Sequence, residues 1–139
     1  MKLKKPILLV EDDEIDVMTI RRAVKILKIT NAIHVASNGE DALAQLHNPD
    51  IASPCLILLD LNMPRMGGLE FLNVVKQDPI FRRIPIVVLT SSREEQDRIA
   101  SFDKSVAGYM VKPVGDDQFI EVMKTIDLYW TLSEMPGEE

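Results

Sequence analysis

Four apolar runs in this chain each end on residues that can do chemistry, and that coincidence narrows the fold more than any other feature. Ile7-Leu8-Leu9-Val10 leads into Glu11-Asp12-Asp13, and the run 56–59 leads into Asp60 and the turn Leu61-Asn62-Met63-Pro64. Ile86-Val87-Val88-Leu89 leads into Thr90-Ser91, and Tyr109-Met110-Val111 leads into Lys112. Runs this short and this apolar read as strands buried on both faces. Each reactive group follows its run, so all of them belong at the same end of their strands.

Between the runs the periodicity is helical. Ile15, Met18, Ala23, Ile26 and Leu27 repeat with a period near 3.6, with Asp13 as N-cap. A short second strand is expected at 32–36, and Asn38-Gly39 turns the chain into a helix at 40–46. A polar connection covers 47–54. Met66-Gly67-Gly68 is a flexible joint before the amphipathic run Leu69, Phe71, Leu72 and Val75, which Asp78-Pro79 closes. A fourth strand at 84–89 tolerates Pro85 near its start. A helix at 93–103, a strand at 107–111 and a last helix at 116–132 complete the pattern. In that last helix Phe119, Ile120, Val122, Met123, Ile126 and Trp130 form the inward face.

Alternating strands and helices predict an α/β fold, a five-stranded parallel doubly wound sheet. Two compact strand–helix units fit between Asp12 and Asp60, one between Asp60 and Thr90, and one between Thr90 and Lys112. With strand order 2-1-3-4-5, the switch point lies between strands one and three, beyond their carboxyl ends. Those strands carry Glu11, Asp12 and Asp60.

A chain of 139 residues with 46% apolar content fits one domain, 1–139, with a core at about 5–132 and a polar tail at 133–139. The net charge of −6 argues against a general nucleic-acid surface. Arg82-Arg83 and Lys2, Lys4 and Lys5 read as solvated spots. The lone Cys55 is expected as a buried or half-buried thiol in a reducing, cytoplasmic compartment. The basic start precedes too short an apolar run for a secretory signal, and no run is long enough to span a membrane. His34 and His47 read as surface residues without metal-ligand spacing.

Three clustered carboxylates repel one another unless a cation neutralises them, and an all-oxygen set suits Mg²⁺. Lys112 adds a fixed positive charge and Thr90 a hydroxyl donor. Metal, ammonium, hydroxyl and one central carboxylate suit a tetrahedral dianion bonded to that carboxylate, with Asp60 as the nucleophile.

These residues in combination resemble the response-regulator receiver domain, the CheY-like (flavodoxin-like) phosphoacceptor of two-component signalling, over residues 5 to about 132. The resemblance implies that Asp60 accepts a phosphoryl group from a phosphohistidine on a sensor histidine kinase. It implies a Mg²⁺ site at Asp12, Asp60, the Asn62 backbone carbonyl and Glu11, the last directly or through water. Glu11 is one methylene longer than the Asp often found at that position. Lys112 and Thr90 would contact the phosphoryl oxygens, Thr90 and Tyr109 would form the switch, and the Lys112–Pro113 bond would be cis. On this reading the protein is a phosphoacceptor rather than an enzyme acting on other substrates, and its output runs through protein contacts without direct nucleic-acid binding. The segment 126–132 and the long connection before strand three resemble stand-alone regulators paired with phytochrome kinases. A homodimer through the face of helix 4, strand 5 and helix 5 is a further expectation.

Two other classes use similar parts. A haloacid-dehalogenase-type phosphatase also has a strand-end Asp with Mg²⁺, but it needs an acid two residues later, where this chain has Asn62. A pseudo-receiver binds partners without phosphate, and the intact acid, hydroxyl and lysine set speaks against it.

Overall fold

The apolar runs form strands, those in the middle of the sheet buried on both faces. In a computed structural model, which describes residues 5–61, 63, 66–90, 106–112, 115, 117–121 and 124, they are β1 (Ile7–Val10), β2 (Ile33–Ala36), β3 (Leu56–Asp60), β4 (Ile86–Thr90) and β5 (Gly108–Val111). All pair in parallel in the order β2-β1-β3-β4-β5. This is the order expected from the sequence, with the switch point between β1 and β3.

Side chains alternate across the sheet, and both sets are apolar. Leu8, Val10, Ile57, Leu59, Ile86 and Val88 face α2 (Gly39–His47) and α3 (Gly68–Gln77). Ile7, Leu9, Leu56, Leu58, Val87 and Leu89 pack with α1 (Glu14–Ile26) and with Phe119 from a helical stretch at 117–121. Full burial of such a side chain stabilises by about 1.5–3 kcal/mol. Two apolar layers on one sheet therefore explain why the strands are continuous in hydrophobicity rather than alternating.

Helix α1 begins where Asp13 caps it, accepting from the amides of Ile15 and Asp16 at 2.8 and 3.2 Å. The face it buries differs from the periodicity noted in the sequence. Ile20, Ala23 and Val24 are buried, with Val17 and Leu27 packed beside them, whereas Ile15, Met18 and Ile26 are exposed. Two apolar stripes compete on this helix. The one through 17, 20, 24 and 27 is continuous, and the other is broken by Arg22.

Helix α2 starts one residue earlier than expected because Asn38 is itself the N-cap, accepting from the Asp41 amide at 2.8 Å. In α3, Phe71, Leu72 and Val75 face the sheet, and Leu69 is exposed. Strand β4 starts two residues later than expected. A 3-10 turn at Phe81–Arg83 takes up the preceding chain, with the Ile84 amide donating to the Phe81 carbonyl at 3.0 Å. His34, expected on the surface, is half-buried in β2. His47 is exposed, with its ring edge-on to Phe81 at 5.1 Å. The Cys55 thiol is buried, as expected, and donates to the Lys5 carbonyl at 3.6 Å. Among the described residues no helix is long and apolar enough to cross a membrane. The helix expected at 93–103, most of the inward face of the last helix and the tail at 133–139 lie outside the described residues.

Candidate functional site

Strand parity decides which groups meet. Glu11 continues the face of Ile7 and Leu9, Asp60 that of Leu56 and Leu58, and Lys112 that of Met110. All three reach the carboxyl edge of the sheet on the side covered by α1. There Lys112 Nζ lies 2.8 Å from Glu11 Oε1, 2.9 Å from Asp16 Oδ2 and 3.2 Å from Asp60 Oδ1. Residues from β1, α1, β3 and the end of β5 thus converge on one ammonium.

Thr90 and Tyr109 belong to the opposite parity. Tyr109 is half-buried against the α2 and α3 side of the core and lies in register with Val88, and Thr90, the second residue on, is fully buried. The two share one face on neighbouring strands. The Thr90 carbonyl also accepts from the Lys112 amide at 2.8 Å, which fixes the backbone that carries the lysine. Asn62 and Pro113, expected as a metal-binding carbonyl and a cis proline, lie outside the described residues.

The acids form a coherent cation site. Glu11, Asp12 and Asp60 each bring a carboxylate oxygen within 4.8 Å of the others. Glu11 and Asp60 are buried, while Asp12 is exposed and opens the cluster to water. Glu11 Oε1 is fully buried without an aligned hydrogen bond. Its close approach to Lys112 is a charge contact, and the distance rather than the alignment carries that pairing. Three carboxylates gathered this closely carry more negative charge than one ammonium offsets, and a hard cation supplies the remainder. The donor set therefore fits a divalent metal.

The electrostatics agree. Burial pushes the Glu11 carboxyl up to about 7, opposed by Lys112 and reinforced by the neighbouring Asp60 charge. Burial works against the charge on Lys112, but its pairing with Glu11, Asp16 and Asp60 more than offsets this and holds it above the ordinary lysine range. Lys112 is thus the fixed charge of the site, and the Glu11 carboxyl takes up a proton near neutral pH.

Asp16 was not singled out in the sequence. It lies in the first turn of α1, where acids are commonplace helix-terminal residues, so its type gave no signal. Only the folded arrangement brings it to the site, setting its carboxylate 2.9 Å from Lys112 Nζ.

The sequence profile of the response regulator receiver domain matches residues 7–124. This chain is a member of that family. The receiver is 36% identical over 130 residues to response regulator Rcp1 of Synechocystis sp. (strain ATCC 27184 / PCC 6803 / Kazusa), covering 91% of this chain and 88% of that protein. The Mn²⁺-bound form of Rcp1 superposes with a TM-score of 0.72 at 35% identity, over 97% of this chain and 99% of the other. The bacteriophytochrome response regulator AtBRR superposes with a TM-score of 0.83 at 39% identity, over 92% and 96%. The phosphorylated cyanobacterial phytochrome response regulator RcpA gives 0.77 at 34% identity, over 97% and 100%. Receivers are signalling domains whose family works with sensor histidine kinases, and a divalent metal site on this receiver agrees with the acid cluster and with the Mn²⁺ in Rcp1.

Proposed function

We propose that this receiver accepts a phosphoryl group on Asp60 from the phosphohistidine of a phytochrome-type sensor kinase. The observation that carries this reading is the convergence of Lys112 on Glu11 and Asp60 at the switch point. The likeness to Rcp1, AtBRR and RcpA supports the choice of kinase class.

In the transfer, an Asp60 carboxylate oxygen forms the new bond to phosphorus while the bond to the donor's imidazole nitrogen breaks. The electron pair stays on that nitrogen, and the donor leaves as neutral imidazole when its other nitrogen is protonated. Lys112 holds charge against the incoming oxygens, and the Thr90 hydroxyl donates to one of them. Glu11, Asp12, Asp60 and the Asn62 carbonyl would hold Mg²⁺, which when bound neutralises the carboxylates and the phosphoryl oxygens. Only the receiver's own transfer and loss of phosphate are catalysed.

The acyl phosphate replaces the single charge of the Asp60 carboxylate with a group carrying close to two at the strand ends. Thr90 then moves toward the new oxygens and Tyr109, on the same face, turns inward. The surface around β5 shifts in population between two shapes. That surface is the one on which a homodimer or a protein target is expected, without direct contact to nucleic acid. The buried thiol of Cys55 fits a cytoplasmic setting. Beryllofluoride titrated with Mg²⁺ tests the reading. Saturable binding to the wild type that Asp60→Asn abolishes is expected, and equal binding by both proteins would overturn it.

A further inference from the structure

We propose that Asp16 is a positioning residue that holds Lys112 in the unphosphorylated receiver and competes with the phosphoryl group for its ammonium. The inference rests on the reading of Asp60 as phosphoacceptor. It starts from an exchange of roles at the beginning of α1. In a capping box the third residue of the helix reaches back to the cap's own amide. Here that amide, on Asp13, donates instead to Glu11 Oε2 at 3.2 Å. Glu11 thereby satisfies the helix start with one oxygen and faces Lys112 with the other. Asp16, whose backbone is fixed by the Asp13 carboxylate, is released to point its own carboxylate at Lys112 from 2.9 Å.

Asp16 stands outside the group of acids whose oxygens gather within 4.8 Å. A cation held by Glu11, Asp12 and Asp60 therefore leaves the Asp16 charge unbound and directed at Lys112. Of the three acids around the lysine among the described residues it is also the most exposed, its side chain 27% accessible against 0% for Glu11 and 3% for Asp60. Water can replace Lys112 at Asp16 at little cost, whereas Glu11 and Asp60 have no such recourse. When a dianion forms on Asp60, Lys112 gives up Asp16 first. The Asp16 charge meanwhile opposes the dianion, setting the phosphorylated state higher in free energy than the other acids alone would.

Beryllofluoride affinity at saturating Mg²⁺ reads this directly. Asp16→Asn removes one charge several ångströms from the mimic and is expected to tighten binding roughly three- to tenfold, a gap that narrows as salt rises. Asp16→Glu keeps the charge and is expected to restore wild-type affinity, a recovery that a purely structural role for the residue would not produce. Unchanged or weaker binding by Asp16→Asn, alongside normal binding by the wild type, would overturn the proposal alone. A wild type that binds no beryllofluoride would overturn the phosphoacceptor reading as well. Equal tightening by Asp16→Glu would show that packing rather than charge is responsible, and would also overturn it.

Discussion

Glu11 shows how much one side chain can set at this site. Its carboxyl is buried beside another carboxylate, and its folded pKa is raised from 4.5 to about 7. The native state therefore holds a proton more readily than the unfolded chain. The stability this contributes is full below pH 4.5 and is lost as pH rises through 7, so the metal-free receiver loses stability across that window. A metal must displace the same proton, so Mg²⁺ affinity is expected to climb toward pH 7 and level off above it. Calorimetric titration at a series of pH values checks this, and Glu11→Gln should bind more weakly and flatten the rise. The acids at Glu11, Asp12 and Asp60 were legible in the sequence because they end apolar strands. Asp16 was not, because an acid in a first helical turn has an ordinary capping explanation and only the folded arrangement gives it a second.

At the level of elements, the strands were read well and the helix faces less well. A run such as Leu56–Leu59 has one plausible burial, on both sides of a sheet, so its bounds follow from its composition. Helix α1 carries two apolar stripes, and the periodicity noted in the sequence mixed residues of both, although Arg22 interrupts the one that stays exposed. The 3-10 turn at Phe81–Arg83 was missed because three residues carry no periodicity. Gly68 lies in close backbone contact with the end of β3. A Cβ on Gly68 would lie 2.6 Å from both the Asp60 carbonyl oxygen and the Leu61 Cα, and the Gly68 amide donates to the Leu61 carbonyl at 3.3 Å. Neither backbone atom can retreat without moving the end of β3. Gly68→Ala is therefore expected to lower Mg²⁺ affinity about tenfold or more while costing about 1–3 kcal/mol of stability, the range for a forced overpacking. Metal titration together with denaturant unfolding separates the two effects. Wild-type metal affinity in a folded variant would show that this contact does not set the site.

The whole molecule makes the site through topology. Crossing over from β1 to β2 and back to β3 leaves the carboxyl ends of β1 and β3 adjacent without a connection between them, and Glu11 and Asp60 fill that gap. Parity along β5 then brings Lys112 to the same side and leaves Tyr109 on the other, next to Thr90. Lys112 with its acids and the pair Thr90 and Tyr109 therefore occupy opposite faces of one sheet edge, joined by the backbone bond from Lys112 to Thr90. This division was implicit in the period of two, yet it needed the register to become visible. The sharpest test of the phosphoacceptor role is to supply a labelled phosphohistidine kinase with Mg²⁺ and map the label by peptide analysis. A single hydroxylamine-labile phosphoryl group on the peptide containing Asp60, absent from Asp60→Asn, is expected. Label of undiminished amount in that variant, or label on another peptide of the wild type, would contradict it.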